Sequence, residues 1–245
     1  TPLDIWFPAS PNVRPQVSDQ FSAGYFRNFK QNMYEVSGEV YYKLFTNLID
    51  FRDHAQLFLN QYLEGELRIG RGYAYGIESL IRKDEGRLTG WISYTWSRSF
   101  RIIPEINDGN RYSSPYDKPH SVNVVANFEI SKRIVASATW IYATGLPVTF
   151  PTGRAIIGNA IVPIYSNRNA YRMPDYHRLD LSLTFRGKPG KKWHDELNLS
   201  VYNVYNRHNA WSINFVQDAA DPNITYAEKT YLFSVIPALT YNVKF

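Results

Sequence analysis

The chain has 245 residues, enough for one large all-β domain or two smaller ones; its net charge is +5 and it contains no cysteine. Its Lys and Arg are scattered instead of forming a run, which leaves a nucleic-acid face unsupported, and the lack of cysteine excludes disulfides and thiolate metal sites. Mean hydropathy is −0.38, and no apolar stretch approaches the roughly 18–20 residues of a membrane helix, so a helical membrane protein is excluded and an alternating-strand barrel is not.

Aromatics are 16% of the chain, with 19 Tyr, and Tyr and Trp are the side chains favoured at a membrane–water interface. The start, Thr1-Pro2-Leu3-Asp4-Ile5-Trp6, has neither an initiating Met nor the regions of a signal peptide; an exported protein beginning there is expected to be mature or a piece.

Residues 1–16 hold Pro2, Pro8, Pro11 and Pro15 and read as an irregular loop. A first strand is predicted at 18–28, with a tight turn at 30–32. The second strand alternates Tyr34, Val36, Gly38, Val40, Tyr42 and Leu44 against Glu35, Ser37, Glu39, Tyr41 and Lys43. Residues 47–60 read as a longer connection, and 62–81 as a long strand whose Gly70, Gly72 and Gly76 suggest bends or close packing. After a turn at 83–86, the fourth strand sets Leu88, Gly90, Ile92, Tyr94 and Trp96 opposite Thr89, Trp91, Ser93, Thr95 and Ser97.

A long loop is predicted over 98–119, around Asn107-Asp108-Gly109-Asn110. The fifth strand carries Val122, Val124, Ala126, Phe128 and Ile130 on one face, and the sixth Ile134, Ala136, Ala138, Trp140 and Tyr142. About thirty residues of loop follow, to Pro174. The seventh strand shows Leu179, Leu181, Leu183 and Phe185 against Arg178, Asp180, Ser182 and Thr184. The eighth begins near Glu196, with a bulge predicted around 202–205 and an extension through Ile213 and Phe215. The ninth is predicted over 230–245, odd positions apolar from Tyr231 to Phe245.

Connections alternate short, long, short, long. That is the pattern of an antiparallel meander with tight turns at one end and long loops at the other, the layout of outer-membrane barrels. Nine strands is an odd number, whereas single-chain bacterial barrels have even numbers, so the chain is expected to be the C-terminal part of a larger protein.

Five His occur, at 54, 120, 177, 194 and 208, none at metal-ligand spacing, and no metal or cofactor is expected. Asp117 with His120, and Asp175 with His177 and Asp180, have the residue types of a hydrolase, but no activated nucleophile stands beside them. The expected role is structural: inward polar groups pairing across strands, as Arg178 and Asp180 would, with no enzymatic activity. Tyr94, Trp96, Trp140, Tyr142, Tyr231 and Phe233 are expected as a lipid belt near the outer rim, with Tyr241 and Phe245 near the inner one. The loop aromatics Trp6, Tyr112, Tyr116, Tyr165, Tyr171 and Trp211 are candidates to stack on a ligand.

Several segments resemble the barrel of TonB-dependent outer-membrane receptors, most closely the Bacteroidetes type. They include Ser22-Ala23-Gly24-Tyr25, Gly72-Tyr73-Ala74-Tyr75-Gly76, Gly86-Arg87-Leu88-Thr89-Gly90-Trp91, Tyr116-Asp117-Lys118-Pro119-His120, Thr144-Gly145-Leu146-Pro147 and Pro174-Asp175-Tyr176-His177-Arg178-Leu179-Asp180. The resemblance covers essentially the whole chain. It implies a 22-stranded barrel, of which these would be the last nine strands, with the N-terminal plug absent from this chain. The terminal pattern of Tyr241 and Phe245 also resembles the signal read by the barrel-assembly machinery.

The partners so implied are the remaining barrel and plug of the same receptor, TonB acting through the plug, the barrel-assembly machinery, outer-membrane lipid and a surface lipoprotein. The function so implied is import of a scarce nutrient. Two other readings stay open: a small passive porin-like barrel complete in itself, and a soluble secreted β-rich glycan-binding module.

Overall fold

A computed structural model describes residues 8–158, 160–188, 193–221 and 224–244. Period-two alternation drives nearly all of it into strands. In order these are β1 (Val17–Phe29), β2 (Tyr34–Phe51), β3 (Leu67–Lys83), β4 (Leu88–Ile102), β5 (Tyr112–Ser113), β6 (His120–Ser131), β7 (Ile134–Ala143) and β8 (Pro147–Val148). There follow β9 (Pro151–Ile157), β10 (Ala160–Tyr165), β11 (Tyr171–Arg172), β12 (Tyr176–Arg186), β13 (His194–Tyr202), β14 (Ser212–Gln217), β15 (Thr225–Thr230) and β16 (Ile236–Lys244).

Nine of these form one antiparallel meander in the order β1-β2-β3-β4-β6-β7-β12-β13-β16, with the short β5 paired to β4. The short connections gather at one end. The first is turned by Lys30, Gln31 and Asn32, all at positive φ, and the second by Gly86 at φ 95°. The long connections gather at the other end and carry the remaining strands as three separate pairs, β9 with β10, β8 with β11, and β14 with β15.

Register fixes the two faces, because directly paired residues point the same way. One cross-strand row reads Ala126, Ala138, Leu181, Val201, Pro237; the next reads Phe128, Ala136, Leu183, Leu199, Leu239. This apolar face stays exposed: Leu239 is 68% and Tyr241 61% accessible. The opposite face is polar, with Ser137 donating to Asn127 Oδ1 at 2.7 Å and Asn198 donating to Thr184 Oγ1 at 2.8 Å. A sheet apolar on its outside and hydrogen-bonded on its inside is the inverse of a soluble β-sandwich and the arrangement of a transmembrane barrel wall.

Strand length fits a membrane crossing. Tyr73 is ten residues from Lys83 on β3, about 33 Å along the strand and about 25 Å along the normal of a wall tilted by some 40°, which matches the apolar band of such barrels. At the short-turn end of that span, Lys30 and Lys83 lie over the Tyr34 ring, their Nζ 5.7 and 5.9 Å from its centroid. A cation reaching past an aromatic ring to water is the usual arrangement there.

The inner face of β3 shows why glycines interrupt it. A Cβ on Gly76 would lie 2.8 Å from Tyr41 Oη and 2.7 Å from Trp96 O, and one on Gly72 would lie 2.6 Å from Leu48 Cδ1. The space of each missing side chain is filled by a neighbouring strand's side chain.

Several boundaries differ from those the sequence predicts. β2 continues to Phe51 because Asn47, at φ 56°, forms a bulge and the register skips from Thr46 to Leu48. Asn47 Nδ2 there donates to Pro15 O at 3.0 Å. Residues predicted as connection are therefore wall. β3 begins at Leu67, after a 3₁₀ turn at Leu63–Glu66, and β4 continues to Ile102.

The eighth strand of the wall does not extend to Phe215. It stops at Tyr202, where Asn203 at φ 55° closes a turn: its N–H donates to Asp180 Oδ1 at 2.9 Å, and its Oδ1 accepts from Arg207 N at 3.0 Å. Ile213 and Phe215 belong instead to β14. The last wall strand starts at Ile236, not at 230, because Thr230 is already paired with Ser212 in the β14/β15 hairpin. Trp6 and Phe245 lie outside the described residues.

Candidate functional site

The long connections pack together over one end of the wall. Their centre is a small apolar core of Ile103, Ile106 and Tyr112, in which both isoleucines are fully buried. Beside it lies an ionic network that the Asn47 bulge makes possible by shifting the register one residue, which turns Asp50 to the inner face opposite Arg68. Asp50 accepts a hydrogen bond from Tyr112 Oη at 2.8 Å and pairs with Arg101 at 3.2 Å and Arg168 at 3.1 Å. Burial, with the Asp50 carboxylate next in effect, pushes the Tyr112 hydroxyl far above its ordinary range, so it stays a donor. Arg168 also reaches Asp53 at 2.5 Å, and its backbone N–H donates to Asn107 Oδ1 at 2.7 Å.

Two further carboxylates fasten loop to wall. Asp117, its side chain wholly buried, accepts from Ser99 N at 2.6 Å and pairs with Arg172, whose Nη1 also reaches Gly145 O at 3.0 Å. Asp175 accepts from Tyr142 Oη at 2.7 Å and from Gly145 N at 3.0 Å. Those two hydrogen bonds hold its carboxyl below the usual carboxylate range.

Beyond this packed base stand two exposed hairpins, β9/β10 and β14/β15. Phe150, just before the first, meets Phe215 of the second edge-on, with centroids 5.2 Å apart. A cleft of about 670 Å³ lies between the hairpins, lined by Pro151, Arg154, Ile161, Phe215, Gln217 and Thr225 among others. A second cleft, of about 640 Å³, is bounded by Asp53, His54, Glu105, Asp108, Tyr165 and Arg168 and is strongly polar. Such surfaces can hold a ligand by stacking and hydrogen bonding. The groups with catalytic residue types are engaged elsewhere: His120 Nδ1 lies 2.9 Å from Tyr94 Oη, and His177 Nδ1 lies 2.8 Å from Tyr205 Oη. Arg178 and Asp180 pair at 2.9 Å along one strand, where the sequence predicts a cross-strand pair, because residues two apart share a face.

The aromatic candidates divide by location. Tyr94 and Tyr142 share one outward row through Val122; Trp96 and Trp140 lie on the same face, Trp140 stacked on Tyr142 at 6.2 Å. Tyr231 and Phe233 are on the connection after β15, where Tyr231 stacks on His208 at 4.0 Å and Phe233 meets the Tyr202 ring edge-on. Tyr241 points outward, opposite Leu197. Among loop aromatics Tyr112 is buried, whereas Tyr116, Tyr165, Tyr171 and Trp211 are exposed.

Comparison with known proteins decides the family. The profile described as TonB dependent receptor-like, beta-barrel matches residues 3–204. The chain belongs to the TonB-dependent receptor β-barrel family. No curated protein matches it in sequence. Among solved structures it is similar to the ferric-catecholate import receptor Fiu of E. coli K12, in its closed form, with a TM-score of 0.58 at 15% identity. The alignment covers 97% of this chain and 30% of that one, so the present chain spans less than a third of that receptor's length. The family is one of outer-membrane transport receptors working with TonB and a plug, not an enzyme family.

In this receptor barrel, the residues that shape the loop platform, Asp50, Asp53, Arg101 and Arg168, carry no motif in the sequence. Their only signal was charge in a region predicted as connection. The sequence likewise does not mark the ladder of outward tyrosines, Tyr42, Tyr73 and Tyr75, whose rings stack 6.3–6.5 Å apart. Only the β2–β3 register brings Tyr42 opposite Tyr75.

Proposed function

We propose that the chain supplies wall, rim and extracellular loops of an outer-membrane receptor that captures a scarce nutrient and imports it with TonB-derived energy. One observation carries the reading: the meander exposes a continuous apolar face while every long polar connection packs at a single end. The exposure of Leu239 and Tyr241 counts against the soluble glycan-binding alternative, which needs that stripe buried against protein.

In this reading the chain is the C-terminal part of a Bacteroidetes-type, 22-stranded barrel. β1 and β16, each paired on one side among the described residues, take their second partners from the rest of the receptor. Tyr94, Trp96, Trp140 and Tyr142 form the outer belt, Tyr231 and Phe233 packing instead against His208 and the inward Tyr202, and Tyr241 with Phe245 is the assembly signal. The ligand meets the loops at the exposed Tyr116, Tyr165, Tyr171 and Trp211, whereas buried Tyr112 supports them. A surface lipoprotein docks on the same loops.

The experiment is deletion of the β14/β15 hairpin from the full-length receptor. Outer-membrane assembly is expected to persist while TonB-dependent growth on the limiting nutrient is lost. Unchanged growth would overturn the role of these loops.

A further inference from the structure

The outward tyrosine ladder has cations above it that nothing in the barrel fold requires. Tyr73 is at the upper limit of the apolar band, and Arg71, two residues further up the same strand and on the same face, lies about 5 Å higher. Arg111 joins it from the loop: its Nη1 donates to Tyr73 Oη at 2.9 Å, and its Cζ is 4.4 Å from the Phe100 centroid. Arg98 covers the same ring, Cζ 4.7 Å from the centroid, with its Nε 3.5 Å from buried Asp117. Phe100, beneath the guanidiniums, is 6% accessible.

Charge is left over in this cluster. Arg98 shares the single carboxylate of Asp117 with Arg172, and Arg71 and Arg111 are exposed and neither has a carboxylate partner among the described residues. The one acid in the cross-strand row through Tyr73 is Asp19, two strands away, beyond Leu44. An arginine at this height, facing away from the barrel, is level with lipid headgroups. Its planar fork suits a phosphate oxygen pair, and acyl chains below it would lie along Tyr42, Tyr73 and Tyr75.

We propose that Arg71, Arg111 and the Tyr42–Tyr73–Tyr75 ladder form a binding site for the headgroup phosphate of an anionic lipid. It is a site on the outside of the wall, separate from the loop surface that meets the nutrient. The proposal rests on the outer-membrane reading, with the apolar face against lipid.

The test is native mass spectrometry of the full-length receptor in detergent, titrated with phosphatidylglycerol or zwitterionic phosphatidylethanolamine. The wild type is expected to retain phosphatidylglycerol preferentially. The double variant Arg71→Gln, Arg111→Gln is expected to lose about tenfold in that affinity. Arg27→Gln, an outward arginine over Phe29 at the opposite rim, should leave it unchanged. Equal retention by wild type and double variant, or an equal loss in Arg27→Gln, overturns the site. Folding of each variant is read from its heat-modifiable band. Failure of the membrane reading would show differently, as a wild-type receptor recovered without detergent.

Discussion

The Tyr112 hydroxyl donates to Asp50 Oδ2 at 2.8 Å across 62 residues of sequence, and that bond ties the loop after β4 to the upper end of β2. Tyr112→Phe keeps the ring in its core with Ile103 and Ile106 and removes only the donor. A buried hydrogen bond to a charged group contributes about 1.5–3 kcal/mol. Backbone amides of residues 103–113 should exchange faster by one to two orders of magnitude, with the lower wall unaffected. Protection unchanged in that loop would show that Arg101 and Arg168 alone hold Asp50.

Gly145 is needed for a close approach and not for its dihedral. A Cβ there would lie 1.7 Å from Met173 O, so Gly145→Ala must part β8 from β11. Limited proteolysis of the full-length receptor should then cut within 144–175 while the barrel still migrates as folded. Resistance equal to wild type would contradict the packing described.

Acid should release the same strap by another route. The hydrogen bonds from Tyr142 and Gly145 lower the Asp175 pKa in the folded protein below its unfolded value. The stabilisation is therefore complete above the unfolded pKa, near 4, and disappears as pH falls through the lowered folded one. Hydrogen exchange at 144–148 should rise over that acid window in wild type. Asp175→Asn should be loose at neutral pH and show no further acid dependence; an identical acid profile in the variant would assign the effect to another group.

The nine-strand wall was legible because its two faces meet different surroundings, which imposes period two on strands such as β6, β7 and β12. The loop hairpins were not. Ile213 and Phe215 alternate just as a wall strand does, and only Asn203, closing the turn after Tyr202, separates them from β13. Thr230 likewise continues the odd-even pattern of the last strand while pairing with Ser212. The loop platform was illegible for a different reason: Arg168 and Asp50 are 118 residues apart, and a bulge at Asn47 sets whether they meet at all. Local pattern carries faces and turns, whereas pairing between distant loops is a tertiary outcome.

The exposed apolar face is the one expected against lipid. Leu181 and Ser182 test it best, since they are adjacent at the middle of β12 and point to opposite faces. Leu181→Arg places a charge near the bilayer midplane, at a cost of about 2–4 kcal/mol, whereas Ser182→Arg places it on the hydrogen-bonded inner face beside Ser137 and Ser200. In the full-length receptor the measurement is the fraction of heat-modifiable, membrane-inserted barrel for each variant. A lipid-facing Leu181 gives a severe loss for Leu181→Arg and near wild-type assembly for Ser182→Arg; the reverse order, or equal tolerance of both, would place lipid on the other face or on neither.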